Sequence, residues 1–217
     1  MFPALLLAAA LSSAFAGQEP EHTAIAHNTF GDVQLAASPE LGRVKLTTVS
    51  AIGPNRHFGA CDCHWLGVSV FAQSGIDVHW SDDQSISGWT AGRAGIHWSW
   101  EGKSLTVRQN LNIGVIAFFP GTGVQPQIGY SALLSAAGGR VSALTIHSLG
   151  FSEDRPVSYY YEGYAAAGPW KKGPQLGVFW ENTYGPRVGP RISIGGFYAH
   201  VNLLDTPIVY AGYQFRL

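Results

Sequence analysis

Charged residues are scarce in this chain of 217 residues. Lys, Arg, Asp and Glu together make up 12% of the sequence, about half of the roughly 25% that soluble domains carry. The formal net charge is −1, and Lys and Arg are scattered rather than clustered, so the basic patch of a nucleic-acid-binding protein is missing. Two cysteines are too few for a disulfide-rich scaffold or a four-thiolate zinc site. Hydrophobic residues amount to 46%, which excludes intrinsic disorder.

Long apolar runs are missing as well. No segment contains 18 consecutive uncharged, apolar residues, so a membrane protein built from helices is excluded. A shorter apolar run at residues 5–11 leads to Ala14-Phe15-Ala16, which matches the small-residue pattern of a signal-peptide cleavage site. We therefore predict a signal peptide at residues 1–16 and a single exported domain at residues 17–217. The alternative for the first residues is a short buried apolar helix or strand.

Alternation of apolar and polar residues with a period of two is the main pattern in the rest of the chain, and helix signals are nearly absent. In residues 104–119, one parity is apolar at seven of eight positions, whereas the other is mostly polar or small. A strand of this length measures about 50 Å, and a strand needs only about 9–11 residues to cross a bilayer on a tilted path. The pattern therefore predicts unusually long strands.

Ten or eleven strands are indicated along the chain, because clusters of Gly, Pro, Asn and Asp separate the alternating segments. The more regular strands lie at residues 66–80, 93–100, 104–119, 175–181 and 208–217. Less regular candidates lie at residues 29–37, 43–52, 127–136, 140–150, 157–166 and 190–203.

The last strand carries the most informative motif. Its apolar face consists of Val209, Ala211, Tyr213, Phe215 and Leu217. This motif resembles the final strand of bacterial outer-membrane β-barrel proteins, which has alternating hydrophobic residues, an aromatic residue near its end and usually a terminal Phe. Leu217 stands in place of that Phe. The resemblance concerns architecture and this short motif, and it identifies no particular family.

The resemblance implies an all-β fold, a closed, antiparallel, up-and-down transmembrane β-barrel. Because single-chain barrels of this kind have even strand numbers, we predict about ten strands, with eight or twelve as the alternatives. It also implies a porin-like protein in the cell outer membrane of a Gram-negative bacterium. Its partners would be outer-membrane lipid, lipopolysaccharide and, through the C-terminal strand, the barrel-assembly machinery. Neither a nucleic-acid partner nor a cofactor is expected.

Aromatic residues near the predicted strand ends fit the girdles that such barrels place at both membrane interfaces. They are Trp80, Trp89, Trp98, Trp100, Phe118, Phe119, Trp170, Trp180 and Tyr184.

The lengths of the turns agree less well with a barrel of this kind. Counting strands back from Leu217 places the short turns at residues 101–103 and 138–139 on the outer side, where loops are normally long. Either the strand count is off by one, or the outer hairpins are unusually short.

Polar residues of the other parity are predicted to line the barrel interior. They are Arg93, His97, Arg108, Asn110, Asn112, Glu162, Glu181, Gln214 and Arg216. An open lumen would make them a narrow pore with charge selectivity, whereas a filled lumen would make them a plug of ion pairs and hydrogen bonds. Barrels of about eight strands are only wide enough for side chains, so we favour the plug. The expected role is non-enzymatic, as a narrow solute pore or as an accessory barrel for export or surface structure.

Four potential metal ligands, His57, Cys61, Cys63 and His64, lie within eight residues. Thiolate and imidazole bind zinc and copper well, but the spacing matches no structural zinc motif. In an oxidising compartment the two thiols can instead form a disulfide, and we favour the disulfide over a metal site.

Two enzymatic alternatives remain. A secreted β-sandwich would bury the apolar parity, and Glu162 and Glu181, which lie among aromatic residues, would suit a glycoside hydrolase. Residues 145–148 (Thr-Ile-His-Ser), followed by Glu162, distantly resemble outer-membrane lipid A deacylases, which implies a lipid A-modifying enzyme. In that family one residue separates the His from the Ser, whereas His147 and Ser148 are adjacent and must face opposite sides of a strand.

Overall fold

The computed structural model describes residues 25–216, apart from 55–56, 81–84, 122, 153–154, 171–172, 183–185 and 203–207. The predicted signal peptide at residues 1–16 lies outside the described residues. In the described part of the chain, no helix is long and apolar enough to cross a membrane. The strands are β1 (Ile25–Ala37), β2 (Leu41–Pro54), β3 (His64–His79), β4 (Ile86–Glu101), β5 (Leu105–Phe119), β6 (Val124–Ala136), β7 (Val141–Ser152), β8 (Arg155–Ala167), β9 (Gln175–Asn182), β10 (Pro186–Ile194), β11 (Phe197–Val201) and β12 (Val209–Arg216).

Pairing between the first and last strands closes the sheet. Each strand is hydrogen-bonded antiparallel to its neighbours in sequence, and β1 also pairs with β12, from Phe30 opposite Arg216 to Ala37 opposite Val209. The twelve strands therefore form one continuous ring. This confirms the predicted all-β, closed, antiparallel barrel. The β-sandwich alternative is wrong, because two stacked sheets would leave open edges that this ring does not have.

The twelfth strand comes from a segment that the sequence presented as one strand. Residues 190–203 contain the end of β10 and the whole of β11, which are joined by a hairpin at Gly195 and Gly196. Both glycines have positive φ, 58° and 94°, as tight two-residue hairpins require. The turns at residues 102–104 and 137–140 then lie on the same side of the ring as Ile25 and Arg216. The conflict over the turns disappears because this hairpin adds one strand to the eleven segments recognised in the sequence.

The wall of the barrel is uneven in height. Strands β2 to β5 contain 14 to 16 residues, whereas β9 to β12 contain 5 to 9. The shortest is β11, with five residues. On the side opposite the termini, β8 also continues beyond its pairing with β9, which begins where Glu162 lies opposite Glu181. The ring is therefore tall around β2 to β5 and low around β9 to β12.

Most outward-facing side chains are apolar, and many of them are exposed, because successive residues of a strand alternate between its two faces. Ile113 and Leu176 are each 68% exposed, and Leu111 is 57% exposed. Away from the strand ends, no Asp, Glu, Lys or Arg whose side chain the structure describes faces outward. The apolar parity thus forms the outer surface, and the polar parity points into the ring.

Two of the aromatic residues predicted for the interfaces, Trp89 and Phe118, are register partners with the inward parity. Trp80 and Trp170 are exposed near strand ends, but Trp89 lies on the inner face of β4, opposite Gly75 in the register. Its ring centroid is 5.2 Å from the guanidinium carbon of Arg43. The outward position predicted for Trp89 is wrong, because its parity is that of Arg93. Tyr184 lies outside the described residues.

The Gly195-Gly196 hairpin allows a test of the added strand. We expect replacement of both glycines by alanine to lower the free energy of unfolding by about 1–2 kcal/mol per residue, because L-residues are strained at positive φ. Urea unfolding of the barrel in lipid vesicles measures this loss. Gly92→Ala is the matched control with little expected effect, since nothing lies within 4 Å of its added Cβ. An equal loss in both variants would contradict the assigned hairpin.

Candidate functional site in the barrel interior

The structure places most of the predicted lumen residues inside the ring. Arg93, His97, Asn110, Asn112 and Glu181 are buried there. Their position follows from the alternation on β4, β5 and β9, whose other parity is exposed and apolar. A role of these residues in solute selectivity stays a prediction.

The other predicted lumen residues lie nearer the ends of the barrel or are more exposed to solvent. Arg108 and Glu162 are mostly buried on the inner face. Gln214 on β12 is half-buried and shares the inner face with Asp32, its register partner on β1. Arg216 belongs to β12, but its side chain lies outside the described part of the chain.

One ion pair crosses the entire interior. The ammonium group of Lys45 on β2 donates to the carboxylate of Glu162 on β8. The amide Nε2 of Gln73 on β3 lies 3.4 Å from Oε1 of the same carboxylate. Strands β2 and β8 are six positions apart in a ring of twelve, so they lie on opposite walls. The pair therefore places charged side chains across the middle of the lumen.

A second ion pair lies toward the end of the barrel that is opposite the termini. Arg43 donates to Asp77 through Nε, 2.7 Å from Oδ1, and through its Nη2, 3.1 Å from Oδ2. Both side chains are buried, and the Trp89 ring lies beside the guanidinium group. Two parallel hydrogen bonds fix the mutual orientation of an arginine and a carboxylate, so this pair forms a rigid arrangement on the inner wall of β2 and β3, where the two residues are register partners.

Arg191 is held between two tyrosine rings on the low side of the barrel. Its guanidinium carbon lies 4.0 Å from the ring centroid of Tyr164 and 3.8 Å from that of Tyr198, within the range of cation–π attraction. The Tyr198 hydroxyl donates to Asp32 over 3.1 Å and accepts from the Gln34 amide over 3.3 Å. These contacts join β8, β10, β11 and β1 through the interior.

Glu181 is paired with a cation on the adjacent strand. Nη1 of Arg187 on β10 lies 3.0 Å from Oε1 of Glu181, and the Tyr210 hydroxyl donates to the same oxygen. Glu162 and Glu181 are neighbours in the register, but one is bound by Lys45 and the other by Arg187. The glycoside-hydrolase alternative therefore does not apply, since the carboxylates lie inside a filled ring rather than in a substrate cleft.

His147 and Ser148 point to opposite faces, as their adjacency requires. Ser148 is buried and accepts a hydrogen bond from Arg93. His147 faces outward, and its Nδ1 and Nε2 each lie 2.7 Å from a hydroxyl group, of Tyr159 and Thr145 respectively. The Ser–His pair that the resemblance to lipid A deacylases would need is therefore not formed.

A recess of about 30 Å³ lies toward the end of the barrel that holds the termini. Its polar lining includes Arg108, which donates to Asn28 over 3.2 Å, and His97, whose Nδ1 is 2.8 Å from Oδ1 of Asn110. Its lining also contains the buried apolar residues Leu133 and Leu144. A recess of this size can admit one or two water molecules, and the Lys45–Glu162 pair lies nearer the middle of the barrel.

Sequence reasoning missed several interior groups. On β2, Arg43, Lys45 and Thr47 alternate with apolar or small residues, so the signal was present but lay in a strand judged irregular. On β1 and β10 the inward polar residues also alternate with apolar or small residues within segments of irregular pattern. The missed residues are Asp32, Gln34, Arg43, Lys45, Asp77, Arg187, Arg191 and His200.

The loop between β2 and β3 contains the cysteine pair. Cys61 and Cys63 form a disulfide, as favoured from the sequence. A ring nitrogen of His64 lies near both sulfur atoms. His57, the fourth candidate, has its Nε2 3.9 Å from a carboxylate oxygen of Glu101 and does not belong to this group of donor atoms.

No family model matches the sequence, and no curated protein matches it. Similar solved structures include CdiB from Acinetobacter baumannii, with 5% identity and a TM-score of 0.39 over 90% of this chain and 60% of that chain. The transport unit of the autotransporter AIDA-I from Escherichia coli has 8% identity and a TM-score of 0.34 over 93% of each chain. Salmonella typhi OmpF in complex with daunomycin has 6% identity and a TM-score of 0.32 over 89% of this chain and 97% of that chain. Likeness at this level identifies neither a family nor a role.

The pair across the lumen can be tested by removing one charge and then both. We expect Lys45→Met to lower the free energy of unfolding by about 3–5 kcal/mol, because a carboxylate is left buried without its cation. Adding Glu162→Gln should recover most of that loss, since neutral replacement of a buried ion pair is often tolerated. Urea unfolding in vesicles measures both effects.

The pair between Arg108 and Glu101, which is more exposed than Lys45–Glu162, is the control for this experiment. We expect Glu101→Gln to cost less than about 1 kcal/mol, because solvent weakens exposed ion pairs. If Lys45→Met and the double variant were equally unstable, the two charges would not be coupled.

Proposed function

We propose that this chain is a bacterial outer-membrane β-barrel with a sealed interior, and that it serves the cell envelope as a structural or accessory barrel without enzymatic activity. The single observation that carries the proposal is the separation of charge. In the described part of the barrel wall, charged side chains point inward, and the outward face between the strand ends is free of Asp, Glu, Lys and Arg.

The outer face supports residence in a bilayer. A soluble protein of this size would expose its charges to water, and large exposed apolar areas mark surfaces that contact a partner or lipid. Ile113, Leu176 and Val68 are all at least 60% exposed on this face. In the closed ring every described strand is hydrogen-bonded to a neighbour on both sides over at least part of its length, and such closure is the condition for strands to cross a membrane.

The filled interior supports a closed barrel over an open channel. Lys45 and Glu162 meet from opposite walls, and Arg43, Arg93 and Arg191 are each buried against a carboxylate, a hydroxyl or aromatic rings. A channel would need a continuous path lined by hydrated groups, whereas these groups bind one another.

Under this proposal, the partners of the barrel are the lipids and the assembly machinery of the outer membrane. Lipid and lipopolysaccharide would contact the outward apolar face. The barrel-assembly machinery would recognise the outward residues of β12, of which Val209 and Tyr213 are exposed. Export through the signal peptide at residues 1–16 belongs to the same proposal.

A narrow solute pore is the second candidate, and the recess lined by His97, Arg108 and Asn110 is the observation in its favour. A pore of this kind would need the Lys45–Glu162 pair to separate. The two candidates therefore differ in a measurable quantity, the current that the unmodified barrel carries.

The loss of folding stability caused by an added charge depends on its depth in the bilayer. This dependence tests whether the outward face contacts hydrocarbon. We expect Ile113→Arg, near the middle of β5, to lower the free energy of unfolding in vesicles by about 2–4 kcal/mol. Val124→Arg, at the first residue of β6 and equally well exposed, should cost only about 0–1 kcal/mol because it lies near an interface. Equal costs at both positions would mean that the outward face does not contact hydrocarbon.

Cell fractionation and planar-bilayer recording test the location and the sealing. We expect the protein in the outer-membrane fraction, with a gel band that shifts on heating, and no sustained current from the wild type. Replacing both Lys45 and Glu162 by Ala should introduce current steps, because two long side chains leave the middle of the lumen. A soluble, heat-insensitive protein would contradict the location, and a steady wild-type current would favour the pore.

A further inference from the structure

The cysteine hairpin, residues 58–64 in the loop before β3, brings three soft metal donors together. The sulfur atoms of Cys61 and Cys63 and a ring nitrogen of His64 all lie within 4.8 Å of one another. Cys61 is exposed, whereas Cys63 is buried. The hairpin lies at the end of the barrel that holds Ile25 and Arg216, and its last residue, His64, is also the first residue of β3.

Backbone hydrogen bonds hold this hairpin in one shape. Phe58 and His64 exchange two of them, with N–O distances of 2.9 and 3.2 Å, and the Asp62 N–H donates to the Gly59 carbonyl over 3.0 Å. The Glu101 N–H donates to the Cys63 carbonyl over 2.8 Å and ties the hairpin to the end of β4. A donor set on a fixed backbone loses little freedom when it binds an ion.

The imidazole of His64 is held in place by its neighbours. Its ring stacks on Trp98 with a centroid distance of 5.6 Å and contacts Phe58 at 5.5 Å. The imidazole fits beside Gly59 because glycine has no Cβ. A Cβ at this position would lie 2.8 Å from Cδ2 of His64. Nδ1 of this imidazole is buried and has no hydrogen-bond partner among the described residues, which is costly for a polar atom unless a ligand binds it.

We propose that reduction of the Cys61–Cys63 disulfide by a dithiol converts the cysteine hairpin into a binding site for one Cu⁺ ion, with Cys61, Cys63 and His64 as ligands. The dithiol gives up two electrons and two protons and leaves as its own disulfide, while the bond between the cysteine sulfurs becomes two thiols. Cu⁺ then replaces both thiol protons, which pass to solvent. The oxidised hairpin has no thiolate to offer and does not bind the ion.

The donor set selects the ion. Thiolates are soft ligands that suit Cu⁺ and zinc, but structural zinc sites use four protein ligands, and the described hairpin gathers three. His57 is not a fourth ligand, because its imidazole faces Glu101 and lies outside the donor group. The site is separate from the ion pairs of the interior, which use none of its three ligands.

Cu⁺ titration of the full-length barrel in detergent tests this proposal. Protein reduced with a phosphine is titrated without oxygen against a chromogenic Cu⁺ chelator. We expect about one Cu⁺ per reduced chain, with thiolate-to-copper absorption in the near ultraviolet, and none bound to the oxidised chain. The oxidised wild type keeps the fold and serves as the control for non-specific binding.

Three variants define the ligands. We expect Cys61→Ser with Cys63→Ser to abolish binding, and His64→Gln to weaken it by at least about tenfold. His57→Gln, the matched control, should bind as the wild type does. The gel shift on heating verifies that each variant is folded. Binding that survives loss of both cysteines, a reduced chain that binds no Cu⁺, equal effects of the two histidine changes, or tighter binding of Zn²⁺ than of Cu⁺ would each overturn the proposal.

Discussion

Pairing of β1 with β12 is the interaction on which the rest of the molecule depends. It joins segments from the two ends of the described chain, from Phe30 opposite Arg216 to Ala37 opposite Val209, and turns a ribbon into a ring. Only in a ring does period-two alternation separate an enclosed face from an outer one. Without this pairing, Lys45 and Glu162 could not meet, and the charged parity would be open to solvent or lipid.

Sequence alternation predicted the architecture well where strands are long. On β4 and β5, Arg93, His97, Asn110 and Asn112 lie inside as their parity required. It failed where strands are short or irregular. With five residues, β11 is too brief to establish a period, and the Gly195-Gly196 turn was read as part of a strand. The contacts that fill the interior could not be predicted, because Lys45 and Glu162 are 117 residues apart and meet only after closure.

The interior combines paired polar groups with a cluster of buried apolar side chains that includes Phe71, Leu144 and Ile146. Arg43 is matched by Asp77, Lys45 by Glu162 and Arg187 by Glu181, so the ring encloses cations and carboxylates in pairs. A buried charge without its partner is far more costly than a pair, and removal of one member affects the whole cross-section. Aromatic rings cover two further arginines. Arg191 lies against the rings of Tyr164 and Tyr198, and Arg93 lies against the ring of Phe71.

For a barrel that lies in a bilayer, as proposed above, the uneven wall has a consequence for the surrounding lipid. Strand β3, with 16 residues, extends over about 53 Å, whereas β11, with 5, extends over about 17 Å. A bilayer of constant hydrocarbon thickness cannot match both sides of such a ring, and mismatch is relieved by thinning of the bilayer or by tilt of the protein. In that setting, thinning beside β11 but not beside β3 would give a gradient of bilayer thickness around the circumference of the barrel.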